Sequence, residues 1–170
     1  MTSPTPPVLT SFRELIAYLG EQNVPHAVNA DAQIIEIPTR SPPLEGTVYI
    51  RWEKQEPLVQ VIHPMLLAVK DPEKLRELEK AICRINNALP LPGFGFDYER
   101  GTLYYRLSIP MFPEGMSANT FQRLVLECVK YARDFLVPFR AVLEGKPGED
   151  IIAASLEYAQ QKKAGTASLA

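Results

Sequence analysis

The chain has 170 residues, 46% of them hydrophobic and 22% charged, with a formal net charge of -2. That length fits one domain, since about 100–200 residues is usual, and the composition lies outside the weakly hydrophobic, highly charged regime of disordered chains. Nucleic-acid binding usually draws on a surplus of Lys and Arg to neutralise phosphates, and this chain has none, so it is not expected. Neither a run of about 18 apolar residues nor a Lys/Arg-rich amphipathic face points to a membrane.

Residues 1–9 are rich in Pro, Ser and Thr and are expected to form a disordered tail. They lack the basic and apolar regions of a signal peptide, so the expected address is the cytoplasm. Ser11 and Glu14 have the spacing of a capping box, in which each side chain satisfies a free donor at the helix start. Phe12, Leu15, Ile16 and Leu19 then form one apolar stripe, and Gly20 and Pro25 end the helix. Three strand-like runs follow. The first is Gln33 to Pro38. The second, Gly46 to Lys54, alternates, with Val48, Ile50 and Trp52 opposed to Tyr49, Arg51 and Glu53. The third, Leu58 to Pro64, is apolar on both faces and reads as a more central strand, entered through a turn at Gln55-Glu56-Pro57.

Asp71 as N-cap with Pro72 at the first helical position opens a second helix. Leu75, Leu78, Ile82, Ile85 and Leu89 line its apolar side. After a proline turn, Phe94, Phe96 and Tyr98 share one strand face. Leu103, Tyr105, Leu107 and Ile109 share another, opposite Tyr104, Arg106 and Ser108. Ser117 caps a third helix with a stripe of Phe121, Leu124, Val125, Cys128, Ala132 and Phe135. Its wet side carries Arg123–Glu127 and Lys130–Asp134 at ion-pair spacing, and Pro138 interrupts the pattern. A short helix is expected from Glu149 to about Lys163.

This order predicts an α+β domain over residues 10–163, arranged α-β-β-β-α-β-β-α-α, followed by a flexible tail at 164–170. One-sided alternation calls for an antiparallel sheet of about five strands with helices mainly on one face.

Catalysis and metal binding need reactive groups held together, and the sequence offers no such set. His26 and His63 stand alone, outside any His-x-x-x-His or Cys-x-x-Cys spacing, so no metal or other cofactor is expected. The two cysteines, Cys83 and Cys128, fall in apolar helical stripes and are expected to be buried and reduced. Gly93-Phe94-Gly95 lacks the third glycine and the Lys-Ser/Thr of a phosphate loop. The chain reads as non-enzymatic.

Two features suit binding to a protein or peptide. Tyr49 and Arg51 on one strand, and Tyr104 and Arg106 on another, project away from the apolar face and would set aromatic rings beside guanidinium groups. The plainer reading is that Tyr suits a strand and Arg keeps its outer face soluble. Met111, Phe112 and Met116 form a second candidate, since exposed Met and Phe adapt to apolar partners. The plainer reading is that these three residues plug the end of the core beneath the third helix. A small-ligand sensor with a pocket between helices and sheet is the alternative to a protein-binding module.

Arg84-Ile85-Asn86-Asn87-Ala88-Leu89, Leu103-Tyr104-Tyr105-Arg106-Leu107-Ser108-Ile109-Pro110, and Met116-Ser117 at the third helix resemble the YbjN-domain family. Phe135-Leu136-Val137-Pro138, Leu143-Glu144-Gly145 and Ala153-Ala154 extend the likeness over residues 10–160. That family shares the fold of type III secretion chaperones. The resemblance implies a noncatalytic, cytoplasmic protein associated with sensory transduction or chaperone-like binding, with no catalytic residues to carry over. Secretion chaperones of this fold form homodimers that wrap an extended segment of cargo. They tend to be smaller and more acidic than this chain.

Overall fold

A computed structural model describes residues 6–53, 58–111, 114–146, 152, 153, 155–157 and 160. In chain order the elements are β1 (Val8–Leu9), α1 (Phe12–Glu21), β2 (Ala27–Asn29), β3 (Ile34–Ser41), β4 (Leu44–Trp52), β5 (Leu58–Ala68), α2 (Pro72–Ala88), β6 (Phe94–Asp97), β7 (Thr102–Pro110), β8 (Met116–Ser117) and α3 (Ala118–Leu143). The protein is α+β with a large antiparallel sheet. Six strands pair in the order β2-β3-β4-β5-β7-β6, and β1 pairs with β8 in a separate two-stranded sheet.

The period-two pattern decides which sheet face is covered. Ile35 and Ile37, then Val48 and Ile50, then Val59, Val61 and Met65, then Leu103, Tyr105 and Leu107 are all buried on one side. Against them α3, which packs on β5, β7 and β4, sets Phe121, Cys128, Ala132, Phe135 and Phe139. Each large apolar side chain among them removed from water contributes about 1.5–3 kcal/mol. Phe94 anchors the cluster, its ring centroid 4.7 Å from Tyr105, 5.3 Å from Phe135 and 5.0 Å from Phe139, all edge-on.

Several expectations are corrected. Val8 and Leu9, assigned from sequence to a disordered tail, form β1. Leu9 is buried, and the Pro7 carbonyl accepts from Ala118 N–H. Gly115 permits this pairing: its φ is +77°, and a Cβ there would stand 2.6 Å from the Leu9 carbonyl oxygen. In the capping box of α1, Ser11 Oγ accepts from Glu14 N–H, and Glu14 also accepts from the Thr10 amide and hydroxyl. Hydrogen bonds from Thr10, and then from Ser11, hold the Glu14 carboxyl below its usual range.

Pro138 does not stop α3, which runs on to Leu143. A proline inside a helix costs about 3 kcal/mol, but ending the helix there would expose Phe139 and Val142, both buried. On its wet side Glu127 pairs with Lys130 at 3.5 Å and Asp134 with Arg133 at 2.8 Å, in place of the expected i,i+4 partners. Cys83 is exposed, whereas Cys128 is buried as expected.

The N-caps at Asp71 and Ser117 form as read, accepting from Glu73 and Lys74 and from Thr120. Residues 152, 153, 155–157 and 160 are helical, with Ile152 buried in the core and Leu156 packed against it. The remaining positions of the expected helix Glu149 to Lys163, the Gln55-Glu56-Pro57 turn and the tail 164–170 lie outside the described residues.

Candidate functional site

The face of the sheet turned away from α3 is built by the other half of each alternation. Antiparallel register aligns its residues into rows. One row runs Glu36, Tyr49, Ile62, Arg106 across β3, β4, β5 and β7; the next runs Ile34, Arg51, Gln60, Ser108. Pro64, Tyr104 and Gly95 form part of a third row across β5, β7 and β6. None of these side chains is buried. At about 4.8 Å between strands and 3.4 Å per residue, the patch spans roughly 15 Å by 14 Å.

The two Tyr/Arg pairs therefore lie on one face, as their phase predicts. Tyr49 is separated from Arg106 by a single strand, and Ile62 fills the place between them. The Arg106 guanidinium stands 5.5 Å from the Tyr104 ring centroid. Gly95 makes room for that ring, since a Cβ there would meet the Tyr104 hydroxyl at 2.5 Å. Arg51 Nε bonds Glu53 Oε1 at 2.8 Å, which fixes one edge of its guanidinium and leaves the other outward. Rings and guanidiniums held this way offer wide contact area at little ordering cost, while Ile62 supplies an apolar centre.

Met111 and Met116 are not part of any surface. Both are buried in the core cluster and not exposed to a partner. Phe112 lies outside the described residues. Ile62, Gln60 and Pro64 complete the face and were not singled out from sequence. The signal was present in the run Leu58–Pro64, whose second apolar phase lies on the sheet face turned away from α3.

Among the described residues, His63 is the buried polar side chain of the core, at 0% exposure. Its Nδ1 meets the Pro64 carbonyl at 2.8 Å; a carbonyl only accepts, so Nδ1 carries a proton. Nε2 lies 3.1 Å from Thr39 Oγ1, which also reaches the Gly46 carbonyl at 3.1 Å. The strands leave space here because the β4–β5 ladder ends at Tyr49↔Ile62, and Pro64 has no N–H with which to extend it. Burial pushes the His63 pKa down against the opposing effect of the Pro64 carbonyl, which keeps the ring neutral.

His26 Nδ1 donates to the Val24 carbonyl at 2.7 Å. Burial pushes the Cys128 thiol up to about 12, against a weaker opposite pull from the His63 backbone, so the thiol stays protonated. Among the described residues, no three His, Cys, Asp or Glu side chains gather as a metal site would require, and no helix is long and apolar enough to cross a membrane. No family model, curated protein or solved structure matches the chain.

Proposed function

We propose that this protein is a noncatalytic binding module that docks a protein or peptide partner on the open face of its sheet. One observation carries the reading: register places Tyr49, Ile62 and Arg106 in a single row, with Arg51 and Tyr104 in the rows beside it. That combination is the chemistry of binding hot spots. The inert thiol of Cys128 and the buried, neutral His63 also favour binding over reaction. The resemblance to YbjN-domain proteins supports the same reading. It extends it to a cytoplasmic adapter or regulator of type III secretion chaperone-like fold, acting as a homodimer.

The test is retention of partners from lysate on the immobilised chain, identification by mass spectrometry, and repetition with Arg51→Glu and Arg106→Glu. Both residues are exposed, so neither change disturbs the core. Loss of the same partner in both variants is expected. Full recovery by both would remove the sheet face from the account.

A further inference from the structure

The opposite side of the molecule carries a second surface of different character. Along α3, Leu126 is 69% exposed and Val137 is 56% exposed, against a core in which comparable side chains are sealed. Eleven residues separate them, three helical turns to within about 20°, so they stand on one ridge roughly 16 Å apart. Half-buried Val129 and Arg133 stand between them, at successive spacings of 3, 4 and 4 along the helix.

The charges around this ridge are mixed, with cations in excess. Arg123, Lys130, Arg133 and Arg140 flank or interrupt it, while Glu127 and Asp134 are held on its shoulder by Lys130 and Arg133. Exposed Arg123 and Arg140, one beyond each apolar residue, have no carboxylate in ion-pair range among the described residues. Four cations against two carboxylates leave a surplus of two. The Arg133 guanidinium also reaches Ser41 Oγ at 3.5 Å, which ties the ridge to the β3–β4 hairpin.

We propose that this ridge seats an acidic amphipathic helix from another protein. Apolar residues at spacings of three and four on that helix would pack between Leu126, Val129 and Val137, and its flanking carboxylates would pair with Arg123 and Arg140. Together with the sheet face, the chain would then hold two partners on opposite sides.

The probe is a synthetic peptide of about 21 residues, some 32 Å long as a helix, with leucines at heptad positions flanked by glutamates. Its binding to the full chain is read by fluorescence anisotropy. We expect saturable binding roughly tenfold tighter than for the same peptide with lysines in place of the glutamates, weakening as salt is raised. Leu126→Glu with Val137→Glu abolishes binding, and Arg123→Glu with Arg140→Glu reverses the preference between the peptides. Arg51→Glu with Arg106→Glu leaves binding unchanged, which separates this surface from the sheet face. Circular dichroism verifies that each variant is folded. Equal affinity for both peptides, no saturable binding, loss only in the sheet-face variant, or tighter binding to phosphatidylserine-containing vesicles than to the acidic peptide would each overturn the proposal.

Discussion

Asn86 sits in the last turn of α2 and fastens the chain where it enters β6. Its Nδ2 donates to the Phe94 carbonyl at 2.8 Å, and its Oδ1 accepts from Gly93 N–H at 3.1 Å and Phe94 N–H at 3.0 Å. A nearby bond, from the Tyr105 hydroxyl to the Leu91 carbonyl at 2.6 Å, holds the preceding loop. Asn86→Ala removes all three contacts. At about 1 kcal/mol net for each hydrogen bond, the loss is about 3 kcal/mol. For a chain of this size that lowers the melting temperature by roughly 6–12 °C. Asn86→Asp keeps both acceptor contacts but replaces the donor with an oxygen facing the Phe94 carbonyl, so an intermediate loss is expected. Urea unfolding at neutral pH, followed by circular dichroism, measures both variants, and the slope with denaturant should match that of the parent. An alanine variant within 1 kcal/mol of the parent, or equal losses in both variants, would show that Asn86 does not pin the loop as argued.

His63 predicts a pH dependence of stability. Its folded pKa lies below the ordinary value of 6.5, so the unfolded chain binds the proton more readily. Stability is therefore complete above that value and falls as pH drops through the window beneath it, by at most about 1.4 kcal/mol per pH unit. His63→Gln should flatten the difference between unfolding midpoints at pH 7.5 and pH 5; an undiminished difference would place the dependence elsewhere. Gly115→Val forces a branched side chain into positive φ against the Leu9 carbonyl, and a loss of about 2–4 kcal/mol is expected from calorimetry. A thiol reagent should label Cys83 in the native protein and Cys128 only after unfolding, and mass spectrometry of the adducts distinguishes the sites. Rapid labelling of Cys128 in the folded chain would contradict its burial.

Much of this structure was legible in local signals. The caps at Asp71 and Ser117, and the alternations of β4 and β7, depend on neighbours a few residues away, and they appear where their residues put them. The outward phase of Tyr49, Arg51, Tyr104 and Arg106 was equally local, because alternate side chains of a strand must face opposite ways. The elements that escaped were those stabilised from a distance. β1 exists because β8, more than a hundred residues later, supplies its hydrogen bonds. β2 is a three-residue edge strand with every residue exposed, held by its pairing to β3 and not by any apolar pattern. The continuation of α3 through Pro138 likewise depends on the core that receives Phe139 and Val142.

By itself the sequence determined the class of fold and the phase of each long strand, both of which follow from periodicity and side-chain type. Tertiary structure alone decided which strands became neighbours. Through that register it set Ile62 between Tyr49 and Arg106, buried Met111 and Met116, exposed Cys83, and placed His63 where two strands part. The physical reason is that a residue's own pattern fixes the direction of its side chain along an element. What that side chain meets is fixed by long-range packing, which no local spacing encodes.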